Sequence, residues 1–335
     1  MEPVRNQPFR RPYGRRRGFA ILSLIIAPAC FAGCTSPGAS AGKTATPEAA
    51  APQSRVTLGA GVTYVALPIG ANEGVNLLDI DLGAGGRAVI TTSNVRLAGG
   101  EVVGDSLLPR EWLDKRKALG AVNGGYFGRD HSDAKEIIGL LVQGGRVRHT
   151  APLLTGHGSA TLSAGQYVRS AFGLSANGTP SIVWAATDPA NPQRVLQYDS
   201  PTPSGPSDGV PWRIHNAVGC GPMLIHNGAI VVTDRKERLA SDGALPRTFL
   251  AYDGAPGRPR HLLVGIASAI TFADLAQFLT AYFPKAHGTR AEAAMCLDGG
   301  ASTQMSVRDA SGVQSPRDTG VTVPTSIVVT PSNRG

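Results

Sequence analysis

Thr271 to Gly300 reads TFADLAQFLTAYFPKAHGTRAEAAMCLDGG, and its two halves follow different periods. Phe272, Leu275, Ala276, Leu279 and Phe283 recur at spacings of three and four, which puts them on one face of a helix. Thr271 is placed to cap that helix through its hydroxyl, and Pro284 is expected to stop it. Ala293 to Leu297 is instead a short apolar run, a buried strand that ends in the turn Asp298-Gly299-Gly300. A helix feeding a strand, in a chain otherwise made of short strands, predicts an α+β fold rather than a doubly wound sheet.

The surrounding sequence supplies those strands. Val75 to Leu82 and Arg87 to Thr92 alternate around Gly85-Gly86 and read as an opening hairpin, and Ile137 to Val147 reads as a second one tipped by Gly144-Gly145. Between them, PREWLDKRKA fits a helix that leads into a strand, Leu119 to Val122, ending at Asn123. Further strands are expected at Ala171 to Leu174, Ile182 to Ala185, Met223 to Ile225, Ile230 to Thr233, Thr248 to Tyr252, His261 to Ile266 and Ser326 to Thr330. Asp199 to Pro211 is a Pro/Ser/Gly loop long enough to cover a cleft. No second linker interrupts residues 56–335, so one domain with mixed, strand-rich sheets and a few helices is expected there.

Composition agrees. Of 335 residues, 42% are apolar and 17% charged, which excludes a chain kept unfolded by its charge and excludes a coiled coil. Gly (42) and Pro (25) signal many turns without reaching low complexity. The net charge of +8 is concentrated at the start, where six arginines (Arg5, Arg10, Arg11, Arg15, Arg16, Arg17) and Glu2 precede the first apolar run. The remainder carries only +3 and no basic stripe with stacking aromatics, so no nucleic-acid partner is expected.

Those arginines, the apolar stretch Phe19 to Gly33 and the small residues before Cys34 form the three regions of an export signal, residues 1–33. Its apolar stretch is shorter than the roughly 20 residues a membrane-spanning helix needs, and Pro28 interrupts it. Phe31-Ala32-Gly33-Cys34 resembles a lipobox with Cys34 as the lipidated residue; an ordinary cleavage near Ala32 is the alternative. Arg16-Arg17-Gly18-Phe19 resembles a twin-arginine signal. Residues 34–55 read as a flexible tether. The expected location is the cell envelope, anchored on the periplasmic side of an outer membrane. Cys220 and Cys296 are left in the folded part, either as a disulfide or as two buried thiols.

Standard catalytic constellations are missing: there is no G-x-S-x-G, no phosphate-binding P-loop, no HExxH, and no Cys/His spacing for zinc. No cofactor or metal is expected. The acidic loop Asp130-His131-Ser132-Asp133 lacks calcium-loop spacing and reads as solvated, and His215 and His226 are isolated. What remains is polar residues where an apolar strand runs into glycines. Asn123 precedes Gly124-Gly125-Tyr126-Phe127, Asp298 precedes Gly299-Gly300-Ala301-Ser302-Thr303, and Arg247-Thr248 opens a strand after Pro246. Glycine lets backbone and ligand approach closely, and an arginine at such a point presents a fork suited to phosphate or carboxylate. Each motif alone is also compatible with an ordinary tight turn.

Together these segments resemble the phosphodiester glycosidase family. The matching stretches are Ala121 to Gly128 (AVNGGYFG), Ile138 to Val147 (IGLLVQGGRV), Ala217 to Gly228 (AVGCGPMLIHNG), Pro246 to Asp253 (PRTFLAYD) and Ala294 to Met305 (AMCLDGGASTQM), within a resemblance spanning roughly Val75 to Val329. Two features depart from the family pattern: Cys220 before Gly221-Pro222, and a missing arginine beside Val323-Pro324 that Arg317 would replace.

The resemblance implies hydrolysis of a sugar joined through its anomeric carbon to a phosphodiester. Asp298 would be the catalytic carboxylate, Arg247 would bind the phosphate, and Asn123 would bond a sugar hydroxyl or a phosphate oxygen. Gly124, Gly125, Gly221, Thr248, Gly299, Gly300, Ser302 and Thr303 would line the substrate site, with backbone amides at Gly124-Gly125 and Gly299-Gly300 as further donors. Asp253 and Asp105 are the candidates for a second carboxylate. Two other functions fit the same residues: a non-catalytic envelope protein that binds a polysaccharide or assists exopolysaccharide assembly, and a serine esterase using Ser302.

Overall fold

The Leu77-Leu78 pair shows how the fold is built, because adjacent strand residues point to opposite faces. Leu77 packs with helical side chains on one face of its sheet, and Leu78 packs with strands of two other sheets on the opposite face. The computed structural model describes residues 53–69, 73–155, 165–239, 243–254 and 258–331, all within one compact unit, Ala45–Gly335. The export signal, Cys34 and the tether up to residue 52 lie outside the described residues.

The first sheet has eight strands in the order Ser54–Gly59, Val62–Ile69, Glu73–Asp81, His261–Ile270, Leu245–Asp253, Ala291–Cys296, Met223–His226 and Ala229–Ile230. All its pairings are antiparallel. A seven-stranded sheet holds Arg169–Leu174 and Pro180–Asp188 near its middle. A five-stranded sheet runs Gly312–Arg317, Met305–Asp309, Gly120–Asn123, Ser326–Pro331 and Gly86–Thr91. Leu250 and Met295 of the first sheet, Phe172 and Trp184 of the second, and Val122 and Ile327 of the third meet in one core, all at most 3% exposed.

Helix α1 (Pro109–Lys115) buries Trp112 and Leu113 against the outside of the third sheet. Helix α2 (Phe272–His287) covers the outer face of the first. Thr271 caps α2 as expected: its Oγ1 accepts from the amide of Asp274 at 3.1 Å. Its buried face includes Phe272, Leu275, Phe278, Leu279 and Phe283, and burying each such large apolar side chain contributes roughly 1.5–3 kcal/mol.

Several expectations are revised. The described residues contain two α-helices against five sheets, so the fold is mostly β, and α+β is a loose description of it. Val75 to Leu82 and Arg87 to Thr92 do form strands, Glu73–Asp81 and Gly86–Thr91, but they belong to different sheets. The Gly85-Gly86 connection arches between two layers, because both strands have core-facing residues that satisfy separate partners; the true hairpin partner of Glu73–Asp81 is the preceding Val62–Ile69.

Pro284 does not stop α2. The helix continues to His287, where Gly288 at φ +67° supplies the left-handed cap and donates to the carbonyl of Pro284 at 3.0 Å. The hairpin tipped by Gly144-Gly145 is present, pairing Leu141–Gln143 with Arg146–His149. The loop after Asp199 ends as an edge strand, Val210–Pro211, on Asn191–Tyr198. No helix among the described residues is long and apolar enough to cross a membrane.

Candidate functional site

The strand Gly120–Asn123 of the third sheet and the turn after Ala291–Cys296 of the first run out side by side, and Asn123 joins them. Its Oδ1 accepts from the Thr248 hydroxyl at 2.7 Å and from the Gln304 amide at 3.1 Å, and its Nδ2 donates to the Asp298 carbonyl at 2.8 Å. The Asp298 amide donates in turn to the Gly124 carbonyl at 3.2 Å. Asn123 and Thr248 are both 0% exposed. Asn123 is therefore a buried joint between four chain segments, its side chain turned toward neighbouring strands.

The glycine amides behind it are engaged as well. Gly124 donates to the Thr325 carbonyl at 2.9 Å and Gly125 to the Thr325 hydroxyl at 3.1 Å, so neither amide is left for a ligand. Glycine is required at 124 by contact: a Cβ there would stand 2.3 Å from the Thr325 Oγ1. Gly299 donates to the Asp298 Oδ1 at 3.0 Å, which orients the carboxylate.

Arg247 opens the strand Leu245–Asp253 at 5% exposure. Its Nε donates to the Ile270 carbonyl at 3.3 Å, its Nη2 to the Gly243 carbonyl at 3.1 Å, and its guanidinium stacks 3.9 Å from the Phe272 ring centroid. Nη1 faces the Asp298 turn: it lies 3.9 Å from the position a Cβ of Gly299 would take. No acidic side chain among the described residues pairs with it, Asp298 included. Burial pulls its pKa down. A buried cation that has carbonyl and ring contacts but no acidic counter-charge among the described residues is costly, and an anionic ligand would offset that cost.

Asp298 lies across from it, partly buried. Burial pushes its carboxyl above the usual range, opposed by hydrogen bonds from Ser302 and the Gly299 amide. Gly300, at φ +62°, starts the turn Gly300–Ser302, and Thr303 behind it is fully buried with an unpartnered Oγ1. Arg317 donates from Nε to the Thr303 carbonyl at 2.9 Å, so it does reach this loop.

Two residues that sequence reasoning missed complete the surroundings. Tyr126 donates its hydroxyl to the Gly221 carbonyl at 2.8 Å, and burial first, helped by the negative charges of Asp298 and Glu237, holds that hydroxyl well above its ordinary pKa. Glu237, 0% exposed, accepts from the Ser170 amide and hydroxyl, the Trp184 indole, the Met223 amide and the Thr233 hydroxyl. A Cβ at Gly221 would meet its Oε2 at 2.4 Å, and φ of +144° there also favours glycine. The NGGYF motif pointed to Tyr126; nothing near Glu237 in sequence points to its role.

Neither candidate second carboxylate joins the site. Asp253 sits at the far end of the strand that begins beside Arg247 and accepts from the His261 ring at 2.7 Å and the Thr289 hydroxyl at 2.8 Å. Asp105 pairs with Arg96 in the four-stranded sheet. In the acidic loop, His131 meets Glu101 and Lys135 meets Asp130, and no cluster among the described residues is arranged to hold a metal ion. Cys220 and Cys296 are free thiols in separate core clusters, so the disulfide is not formed.

A carboxylate and a guanidinium without an acidic partner among the described residues are thus held on neighbouring turns. The model of the phosphodiester glycosidase (NAGPA) family matches residues 116–330, and the chain belongs to that family. The match begins in the turn after α1, so the strands before it lie outside. No curated protein matches the chain. Among solved structures, a hypothetical protein from Synechocystis is 16% identical with a TM-score of 0.49, over 80% of this chain and 62% of that one. A Burkholderia pseudomallei protein named as exported is 15% identical with a TM-score of 0.44, over 81% of this chain and 74% of its own.

Proposed function

We propose that this chain hydrolyses sugar-1-phosphodiesters, releasing the free sugar and a phosphomonoester. The observation that carries this is Arg247: a guanidinium 5% exposed, without an acidic partner among the described residues, beside a carboxylate it does not pair with. A phosphodiester supplies the missing negative charge, and its anomeric carbon then lies toward Asp298.

In the reaction the C1–O bond breaks with its electrons staying on the phosphate oxygen, and water adds to C1. Phosphate leaves readily once Arg247 offsets its charge, so no strong general acid is needed. Asp298, as the anion, stabilises the oxocarbenium-like transition state and takes the proton of the attacking water. Asn123 and Thr248 act as positioning residues, fixing the Asp298 turn against the Arg247 strand. Gly299, Gly300, Ser302 and Thr303 shape the sugar side, and Gly221 the opposite side.

The leader fits export, with a lipid on Cys34, the tether 34–55 spacing the domain 56–335 from an envelope membrane. Globomycin-sensitive processing and labelling by a fatty-acid probe lost in Cys34→Ser would support the anchor.

The deciding experiment incubates purified protein with a panel of nucleotide sugars and sugar-1-phosphodiesters and follows free sugar. Asp298→Asn and Arg247→Ala are expected to abolish release while the circular dichroism spectrum is kept. Retention of a polysaccharide without any sugar release would favour the non-catalytic envelope protein instead.

A further inference from the structure

Beside the site, on the other side of Tyr126, a cavity of about 360 Å3 opens between the Tyr126 loop and the second sheet. Its walls are apolar, formed by Leu140, Ala151, Pro152, Leu154 and Ala171, with Cys220 at its inner end. The cavity adjoins the catalytic turn: Tyr126, which lines it, follows two residues after Gly124, whose carbonyl accepts from the Asp298 amide at 3.2 Å.

Its polar groups are few and mostly engaged. Tyr126 donates to the Gly221 carbonyl, Ser170 to Glu237, and the His149 Nδ1 to the Gly139 carbonyl at 2.5 Å. A second sugar placed here would bury more hydroxyls than these few groups can partner, at a cost for each one left over. The Thr150 and Tyr167 hydroxyls also line the cavity, and its one arginine among the described residues is Arg169. Its guanidinium lies 5.8 Å from the Tyr126 ring centroid, its Nε makes one long hydrogen bond of 3.4 Å to the Glu237 carbonyl, and no acidic side chain among the described residues pairs with it. Tyr167 and Arg238 form a similar stack, with 5.5 Å between guanidinium and ring centroid.

We propose that this cavity receives the alcohol on the far side of the substrate's phosphate, that this alcohol is apolar, an aliphatic chain or an aryl ring, and that Arg169 joins Arg247 in binding the phosphate between them. The proposal rests on the hydrolase reading and names its leaving group: the product retained here is an apolar phosphomonoester. Pocket walls of this kind favour each added methylene by about fourfold in affinity at full burial.

The test is calorimetric binding of inorganic phosphate, methyl phosphate, hexyl phosphate and phenyl phosphate to the full chain. Hexyl or phenyl phosphate is expected to bind at least about tenfold more tightly than methyl phosphate; preference for hexyl identifies an aliphatic alcohol, and preference for phenyl an aryl one. Ala151→Trp, which fills the cavity, should erase that difference, as should Thr150→Trp at its rim, each with an unchanged melting profile. Arg169→Gln should weaken all the esters alike. Equal binding of methyl, hexyl and phenyl phosphates, or no binding of any, overturns the proposal. Sugar release is scored separately: discrimination without turnover would leave this pocket standing and remove the hydrolase, whereas turnover without discrimination would do the reverse.

Discussion

Replacing Asn123 by Ala separates a joint from a ligand contact. Three hydrogen bonds disappear: two accepted by Oδ1 and one donated by Nδ2. The Thr248 hydroxyl can turn to another acceptor, but the Gln304 amide and the Asp298 carbonyl are main-chain groups fixed in place. Each buried polar group left without a partner costs roughly 1–3 kcal/mol, so two of them, with some relaxation, cost about 4 kcal/mol. That is a large part of the roughly 5–15 kcal/mol by which a domain is stable. Guanidinium unfolding followed by fluorescence reads the loss directly, and Thr248→Val, which removes one of the three bonds, should cost only about 1 kcal/mol. In the same preparations, kcat for sugar release should fall with little change in KM, because the Asp298 turn is displaced while Arg247 still binds phosphate. A loss of stability below about 1 kcal/mol together with a raised KM would refute the joint and restore Asn123 as a group that touches substrate.

The pH dependence follows from Asp298. Burial raises its folded-state pKa, so the acid limb of kcat/KM should lie above the roughly 3.9 of an ordinary aspartate; a limb at or below that value would count against it. The sign for stability is opposite: a carboxyl raised on folding favours the native state in acid, and that contribution is lost as pH rises through the folded value. Asp298→Asn should therefore be more stable than the parent at neutral pH, with the difference closing in acid, as read from melting temperatures. Glu237→Gln should cost about 3 kcal/mol, since an amide group would confront donors where Oε1 and Oε2 now accept five bonds; an unchanged midpoint would remove Glu237 from the frame. Burial lifts the Cys296 thiol to about 12 and Cys220 well above its ordinary value, so peptide mapping should find both unalkylated at pH 8 in the native protein and both modified after denaturation.

Much of this was legible locally. The α2 stripe and the Thr271 cap depend only on residues three or four apart, and the strand ends at Asn123 and Asp298 are marked by the glycines that follow them. Pro284 misled because a proline removes one donor without preventing a packed last turn that Gly288 can cap. The arch at Gly85-Gly86 misled because a turn between two alternating runs looks the same whether the strands pair with each other or enter separate sheets. In the site, the chemical types were readable and their duties were not. Whether an amide meets a ligand or another strand is decided by Thr248 and Gln304, and Thr325 decides the same question for two glycine amides; all are far away in the chain. Glu237 sits in no recognisable motif because its five donors come from four separate segments.

The joint at Asn123 binds residues 125, 175 and 181 positions further along. Contacts of that span close late during folding, since the loops they seal carry the largest entropic cost. No partly folded intermediate, and no fragment that lacks one of these segments, can therefore own a working centre: the site and the completed architecture arrive in the same step, and heating or denaturant should extinguish both together.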